Sequence, residues 1–405
     1  MGTTYYKAPY YYKSLFNESI VGILNPERHH TRRRTVQSMF SVKAIDSMAP
    51  YIIRRARKAA ESVANRAQQG LPINLNRLYR SISADITCEL LFGKTQSLLD
   101  AGKEQPKLID SIDKFTSHVW LVKHFPFLNW MALNMPDTIA AWLIPGYKNF
   151  RAQAEILVKD AVKRKSDGLG IAEDGSKTIF DLLLEPNSAK GGNELEMHEL
   201  IDEAFMFILG GTDPIGFTLA AATYYILTSP DVLMKLMTEL QEAKSSIEGE
   251  YDWKHVQKLP YLTAILKETM RLYTVVPGVL PRVVPPKGAF VQSHFLPGGT
   301  IISASHHAIH HNPSIFVDPE NFDPERWLGS QSQKLEKYLL PFSKGPRACL
   351  GINLAWLEMY TLLAVMFSRF EMTLFETSNL EWLDHGIAVH QSPVQVSIKL
   401  DRRNI

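Results

Sequence analysis

The residue best placed to carry chemistry is Cys349, one of 2 cysteines in a chain of 405 residues. It lies in the segment 342–351, which reads Phe-Ser-Lys-Gly-Pro-Arg-Ala-Cys-Leu-Gly. Two cations precede the cysteine, and apolar spacing predicts a helix from Gly351 through Phe370 whose N-terminus faces the sulfur. Because positive charge and a helix N-terminus both lower the pKa of a thiol, the segment predicts a thiolate that attacks a substrate or binds a metal. A buried structural thiol is the alternative for Cys349, and it is the interpretation we favour for Cys88.

Composition narrows the classes of protein to consider. The chain carries 44 basic and 42 acidic residues, a net charge of +2, so its charge does not demand a nucleic-acid partner. Two cysteines far apart in sequence argue against a disulfide framework and for a reducing compartment. The sequence has no uninterrupted apolar run of the roughly 20 residues that span a membrane, and its N-terminus lacks the apolar stretch of a secretory signal.

The elements that must position Cys349 are mostly helical. Residues 1–28 are aromatic and rich in turn formers, and Asn25 followed by Pro26 predicts the start of a helix that runs to Phe40. Helical patterns then continue to about Thr274, interrupted by predicted loops at 168–170 and 186–193. Short strands and turns follow over 277–300. An irregular segment, 312–343, precedes the cysteine, and β-like stretches at 371–375 and 394–400 follow the last helix. We therefore predict one large, mainly α domain with a small β region over residues 1–405.

The pattern Phe-x-x-Gly-x-Arg-x-Cys-x-Gly resembles the haem-ligand loop of the cytochrome P450 family at all five fixed positions. The resemblance implies that Cys349 is the axial ligand of haem b and that Phe342 shields its sulfur. It also implies that Gly345 and Gly351 let the backbone approach the macrocycle, and that Arg347 pairs with a haem propionate.

Further motifs extend the resemblance along nearly the whole chain. Glu268 and Arg271 stand at helical spacing, and with Arg326 of Phe-Asp-Pro-Glu-Arg-Trp they match the family's buried ion triad, which locks the ligand loop. His29 and Arg33, four residues apart, and Arg282, in the turn after the triad helix, match cations that reach the haem propionates.

A third motif lies in the predicted central helix, which crosses the oxygen side of the haem in the family. Gly210, Gly211 and Asp213 match the family pattern, but Pro214 stands where the family has threonine. Proline has neither a hydroxyl nor an N–H, so it would leave the Gly210 carbonyl unpaired and kink the helix. We expect Asp213 to act as the acid, with Thr212 as a candidate donor and, as the alternative for Thr212, a residue of the helix wall.

The same resemblance implies where a substrate lies. The predicted wall of the substrate pocket consists of Phe207, Gly210, Gly211, Pro214, Val276, Val279, Leu280 and Ile387. Generic core packing is the alternative for Val276, Val279 and Leu280. The aromatic stretch 119–144 corresponds to a helix pair and loop above this pocket. Histidines 306, 307, 310 and 311 cluster in sequence, but we interpret them as solvated residues of a turn and not as metal ligands.

The implied function is haem-thiolate monooxygenation: hydroxylation or epoxidation of an apolar small molecule with dioxygen, in fungal secondary metabolism of the terpenoid or polyketide type. Electrons would come from NADPH through a cytochrome P450 reductase, or from cytochrome b5, at a basic face of a monomer. An oxygen-independent isomerase or dehydratase, favoured by Pro214, and a truncated non-catalytic chain are the alternatives. The family location is the cytosolic face of the endoplasmic reticulum membrane. We expect this chain to lack the family's usual N-terminal anchor and first strands, and therefore to have an open sheet edge.

Overall fold

The computed structural model describes residues 5–16, 18–100, 106–125, 127–128, 131, 135–136, 138–139, 144–169, 177–185, 195–245 and 253–400. Within these ranges the α-helices, numbered in chain order, are α1 (Pro9–Phe16), α2 (Pro26–Val36), α3 (Val42–Gln68), α4 (Leu75–Phe92), α5 (Lys107–Thr116), α6 (Val119–His124), α7 (Tyr147–Ser166), α8 (Ile179–Leu183), α9 (Met197–Thr228), α10 (Pro230–Ser245), α11 (Trp253–Val256), α12 (Pro260–Leu272), α13 (His306–His310), α14 (Ser332–Glu336) and α15 (Ile352–Arg369). Short 3₁₀ turns include Gln37–Phe40, Pro324–Trp327 and Gly345–Arg347.

The strands are short and form small antiparallel sheets. They are β1 (Tyr6–Lys7), β2 (Ile73–Asn74), β3 (Arg282–Val283), β4 (Ala289–Val291), β5 (His294–Leu296), β6 (Ile301–Ile302), β7 (Phe370–Leu374), β8 (Trp382–Asp384), β9 (Ala388–His390) and β10 (Gln395–Leu400). Two sheets have three strands, in the orders β1-β3-β6 and β2-β10-β7, and the pairs β4-β5 and β8-β9 are hairpins. The register of β1 places Lys7 opposite Arg282, which joins the start of the chain to its last third.

The centre of the fold is α9, which packs antiparallel to α4 at very short range. A Cβ added at Gly211 would overlap the side chain of Thr87, and one added at Gly216 would overlap that of Arg80. A Cβ at Gly210, in contrast, would meet nothing within 4 Å. One side of α9 is therefore pressed against α4, while Gly210 faces open space.

Among the described residues, α9 is the one helix long and apolar enough to cross a membrane, and most of it is buried inside the protein. The hydrophobic core that surrounds it includes residues from α3, α4, α7, α12 and α15. The helix is therefore the core helix of this domain, and its apolar composition reflects burial by neighbouring helices.

The predicted mainly α fold with a small β region is confirmed, and several boundaries need correction. Residues 1–28 contain β1 and α1 in addition to turns, and the helix expected to reach Phe40 ends at Val36 and continues as a 3₁₀ turn. Asn25 caps this helix as predicted, because its side chain accepts the Arg28 N–H at 2.9 Å. The hairpin β8-β9 was not predicted. The predicted loop at 186–193 lies outside the described residues.

The contrast between two adjacent glycines of α9 gives a stability prediction. Gly211→Ala should lower the free energy of unfolding by about 1–3 kcal/mol, because the new methyl group must displace the buried Thr87. Gly210→Ala is the matched control and should be neutral or stabilising by up to about 1 kcal/mol, since it gains helix propensity without a contact. Urea unfolding measures both, and equal stability of the two variants would contradict the packing described for α9.

Candidate functional site

Cys349 follows the 3₁₀ turn Gly345–Arg347 and precedes α15. Its backbone N–H donates to the Phe342 carbonyl at 2.9 Å, which closes the segment into a loop. Gly345 has a φ of +78°, a left-handed conformation that favours glycine. Added Cβ atoms at Gly345 and Gly351 would meet nothing within 4 Å, so both glycines border open space. The loop thus presents a cysteine beside space that the protein chain leaves free.

The pKa of the Cys349 thiol differs from the sequence-based expectation. The residue is accessible to solvent, but protein surrounds the sulfur closely enough that burial raises the pKa of the thiol. The Gly351 N–H and the charge of Arg33 oppose this effect without overcoming it. The expectation that the surroundings alone lower the pKa is therefore wrong, because desolvation outweighs the positive charge. A coordinating metal ion would deprotonate the thiol outright.

The four cations predicted to reach haem propionates converge near this loop. Arg33 donates to the Ala348 carbonyl at 2.8 Å, and Arg347 donates to the carbonyls of Ile23 at 2.9 Å and Leu24 at 3.2 Å. Burial and the charges of Arg282 and Arg33 lower the pKa of Arg347 to about 10. His29 is buried, and burial and then the charges of Arg347, Lys7 and Arg33 lower its pKa to about 3.

Lys7 is a fifth member of this group, and the sequence analysis missed it. It is buried, donates to the Val21 carbonyl and lies 4.4 Å from the ring centre of Tyr12, whose hydroxyl accepts a hydrogen bond from Arg282. Burial and the charges of Arg347 and Arg282 lower the pKa of Lys7 to about 6. The sequence carries no signal for this role, because the pairing of β1 with β3 alone brings Lys7 to the site.

We call Lys7, His29, Arg33, Arg282 and Arg347 the cation cluster. In the part of the chain that the structure describes, no member forms an ion pair with a carboxylate, although their charges repel one another. With these pKa values His29 and most of Lys7 are uncharged at pH 7 in the chain alone, and the three arginines are half-buried. The cluster can therefore bind an anion, which would restore the charge of Lys7 and which the described residues do not supply.

The predicted ion triad is assembled around Glu268, which is fully buried with Arg271. Arg271 donates two hydrogen bonds to the Glu268 carboxylate, from Nε at 2.9 Å and from a terminal nitrogen at 2.8 Å. Arg326 donates a third to the same carboxylate, from Nε at 2.9 Å. The carboxylate also accepts the Trp327 indole N–H at 2.9 Å and the Asp323 N–H at 3.0 Å. Trp327 is a contact that the sequence analysis missed, although it follows Arg326 directly in the quoted motif.

Two candidate catalytic residues of α9 lie in different surroundings. Thr212 is fully buried, and its hydroxyl has no hydrogen-bond partner among the described residues. It is two positions from Gly210, about 200° around the helix, so the two point to opposite sides. This placement does not support a role for Thr212 at the open side.

Asp213 is buried and paired with a cation of α4. The Arg80 Nε donates to its carboxylate at 2.8 Å, and another nitrogen of Arg80 binds Asp113. Burial raises the pKa of Asp213, and the charge of Arg80 opposes the rise. A polar pocket of about 240 Å³, lined in part by Asp213, Arg80, Asp113 and His390, adjoins the carboxylate. Asp213 is therefore a buried, ion-paired carboxylate that lies next to a polar pocket.

The predicted substrate wall is assembled from three segments. Phe207 and Pro214 are half-buried on α9 and lie within about 60° of Gly210 around the helix, whereas Gly211, also half-buried, faces α4. Val276 and Leu280 are half-buried, Val279 is 42% exposed, and the Ala388 N–H donates to the Val275 carbonyl at 2.7 Å. That hydrogen bond holds Ile387 beside the segment 275–280. The structure thus gathers these residues into two neighbouring groups.

Two further sequence interpretations can be compared with the structure. No group of histidine, cysteine or acidic residues suited to a metal ion occurs among the described residues. His310 is fully buried, so the interpretation of all four histidines as solvated is wrong for this one. In the aromatic stretch 119–144, Trp120, Phe125 and Phe127 are exposed, and much of the remainder lies outside the described residues.

Comparison with known proteins places these features in a family. The family model for cytochrome P450 matches residues 3–398. The chain is 38% identical over 405 residues to cytochrome P450 monooxygenase aneF of Aspergillus aculeatus, covering 99% of this chain and 82% of that protein. It is 38% identical over 400 residues to cytochrome P450 monooxygenase penB of Penicillium thymicola, covering 98% of this chain and 90% of that protein.

A solved structure agrees on the fold. The crystal structure of the cytochrome P450DA heme domain superposes with a TM-score of 0.78 at 15% identity, covering 98% of this chain and 83% of that one. The chain therefore belongs to the cytochrome P450 family, and the predicted fold and enzyme class, cytochrome P450 monooxygenase, are confirmed. The two relatives aneF and penB come from fungi, as the resemblance implied.

The triad should be required for retention of the cofactor that defines the family. Glu268→Ala or Arg271→Ala leaves a buried charge unpaired, at a cost of roughly 3–5 kcal/mol, and should give protein without haem. Glu325→Ala is a matched control in the same segment, because its carboxylate pairs with Lys235 at 2.6 Å on the exposed surface. The measurement is the haem content per folded chain. A normal haem content in either triad variant would refute the role assigned to the triad.

Proposed function

We propose that Cys349 is the axial ligand of haem b and that the chain uses dioxygen to hydroxylate or epoxidise an apolar small molecule. The observation that carries this proposal is the cation cluster beside the Cys349 loop. The two carboxylates of haem b are the anions that the cluster lacks, and charge-assisted hydrogen bonds are the strong ones. A sulfur ligand and an anion site are thus assembled side by side.

The residues fit a haem group in two further respects. Gly345 and Gly351 border space that a side chain would narrow, and Gly210 on α9 borders open space as well. Phe207, Leu280 and Ile387 are partly buried, and their apolar side chains would face a bound substrate. The bound haem would supply oxygen activation, with electrons from NADPH through a cytochrome P450 reductase.

The protein's own contribution on the oxygen side is proton supply. Asp213 is the group we assign to it, because the carboxylate is held by Arg80 and adjoins a polar pocket. Pro214 cannot donate a proton, and the hydroxyl of Thr218 is engaged with the Pro214 carbonyl at 2.8 Å. A substrate hydroxyl or ordered water therefore completes the path from Asp213.

The substrate class and the cellular setting extend this proposal. Fungal relatives and an apolar wall support a terpenoid or polyketide-type intermediate of secondary metabolism as the substrate. Arg54 and Lys344, which are exposed, belong to a basic face that would attract an acidic reductase or cytochrome b5. The exposed aromatic residues Trp120, Phe125 and Phe127 support contact with the surface of the endoplasmic reticulum membrane.

The first test compares the two cysteines. Cys349→Ser should abolish the red-shifted thiolate band of the reduced carbon-monoxide complex, because serine cannot replace the sulfur ligand. Cys88→Ser, at the fully buried structural thiol, should retain the band in whatever protein folds. Product formation by the wild type should require both dioxygen and a reductant. Product formed without either would favour the oxygen-independent isomerase or dehydratase that Pro214 suggests.

A second test concerns the cation cluster. Lys7→Met should speed the loss of haem roughly tenfold, because it removes a charge-assisted hydrogen bond to a haem carboxylate. Lys13→Met is the matched control, since Lys13 is exposed on α1 and should leave the rate unchanged. Transfer of haem to an excess of apomyoglobin measures the rate of haem loss. Equal rates for the two variants would contradict the proposal that Lys7 binds a haem carboxylate.

A further inference from the structure

His310 is a fully buried histidine that the proposed function has not used. It ends the short helix α13, between the triad helix α12 and the segment that leads to Cys349. Both of its ring nitrogens have protein partners. This distinguishes it from its neighbours His306 and His307, each of which has an Nδ1 without a hydrogen-bond partner among the described residues.

The partners of His310 define its protonation. The backbone N–H of Leu340 donates to Nε2 at 2.8 Å, so this nitrogen must be the acceptor. The proton of the neutral ring is therefore on Nδ1, which donates to the Thr274 hydroxyl at 2.8 Å. Burial and then neighbouring cationic groups lower the pKa of His310 to about 3, so the ring stays neutral.

On one side these contacts lead to the ion triad. The Thr274 hydroxyl donates to the Arg271 carbonyl at 3.1 Å, and the guanidinium of Arg271 donates to the His310 carbonyl at 2.8 Å. The same guanidinium holds Glu268. His310 is thus fixed to the triad arginine by both its side chain and its backbone.

On the other side the contacts lead to the cysteine loop. The Leu340 carbonyl accepts the Ser343 N–H at 3.0 Å, and the Phe342 carbonyl accepts the Cys349 N–H at 2.9 Å. A continuous series of hydrogen bonds and short backbone segments therefore runs from Arg271 through His310 and Leu340 to Cys349. The imidazole joins Thr274, two residues after the end of α12, to Leu340, two residues before the segment 342–351.

We propose that His310 is a positioning residue for Cys349, which holds the start of the ligand loop against the triad through the Leu340 N–H. The inference rests on the proposed function, since it concerns the sulfur that binds the haem. Without the acceptor at Nε2 the Leu340 N–H loses its partner, and the loop gains freedom to move the sulfur away from the iron. His310 is fully buried and both of its ring nitrogens bind protein groups, so we expect its effect to be on ligation and not on the chemical step.

The experiment measures how much of the bound haem keeps its sulfur ligand. The holoprotein is reduced under carbon monoxide, and the band of the thiolate-ligated form is compared with the band of the form without thiolate. His310→Phe should lower the ratio of the two forms roughly tenfold, because the Leu340 N–H is left unpaired. His310→Gln should restore most of the ratio, since its amide oxygen reaches the position of Nε2, whereas the shorter His310→Asn should not.

The control is His307→Phe, the same chemical change on the same short helix at a residue without contact to Leu340. It should keep the wild-type ratio. A wild-type ratio in His310→Phe, or a Gln variant as impaired as the Phe variant, would overturn the inference. If His310→Phe does not fold, the comparison of Gln with Asn decides it. A wild-type protein without the thiolate band would instead overturn the proposed function, and this inference with it.

Discussion

The arrangement of the site depends on the hydrogen bonds that the buried carboxylate of Glu268 accepts. It accepts hydrogen bonds from Arg271, Arg326, Trp327 and the Asp323 backbone. These donors come from α12 and from the irregular segment after α13, which has little regular structure to hold it. A carboxylate without solvent needs all of its donors, so the segment has one favourable position. The cysteine loop begins where this segment ends, and it takes its position from it.

A second constraint is electrostatic. The cation cluster draws Lys7 from β1, His29 and Arg33 from α2, Arg282 from β3 and Arg347 from the cysteine loop. Helices and strands from both ends of the chain thus bring basic side chains to one place, and burial, followed by the charges of Arg347 and Arg282, lowers the pKa of Lys7 to about 6. Such an arrangement stabilises a bound dianion more than it stabilises the chain alone. This arrangement supports the proposal that the site binds the two carboxylates of a haem group.

The sequence predicted the local parts of this site and not the parts that depend on long-range pairing. The Cys349 loop, the Glu-x-x-Arg turn of α12 and the Gly-Gly pair of α9 are continuous motifs, so their residues are legible together. Lys7 and Tyr12 were missed because both meet Arg282 from the far end of the chain. Lys7 does so through a two-residue strand, and Tyr12 does so across 270 residues of sequence. His310 was misread as solvated because its burial depends on the path of a segment without periodicity. The pKa of Cys349 was misjudged because charge is visible in a sequence and desolvation is not.

The central claim is that the sulfur of Cys349 binds the iron of a haem group. X-ray absorption at the iron edge of the purified holoprotein tests it most directly, because the first coordination shell distinguishes sulfur from nitrogen and oxygen. We expect one sulfur ligand in the wild type and none in Cys349→Ser. An iron shell of nitrogen and oxygen alone in the wild type, or an unchanged sulfur in the serine variant, would contradict it.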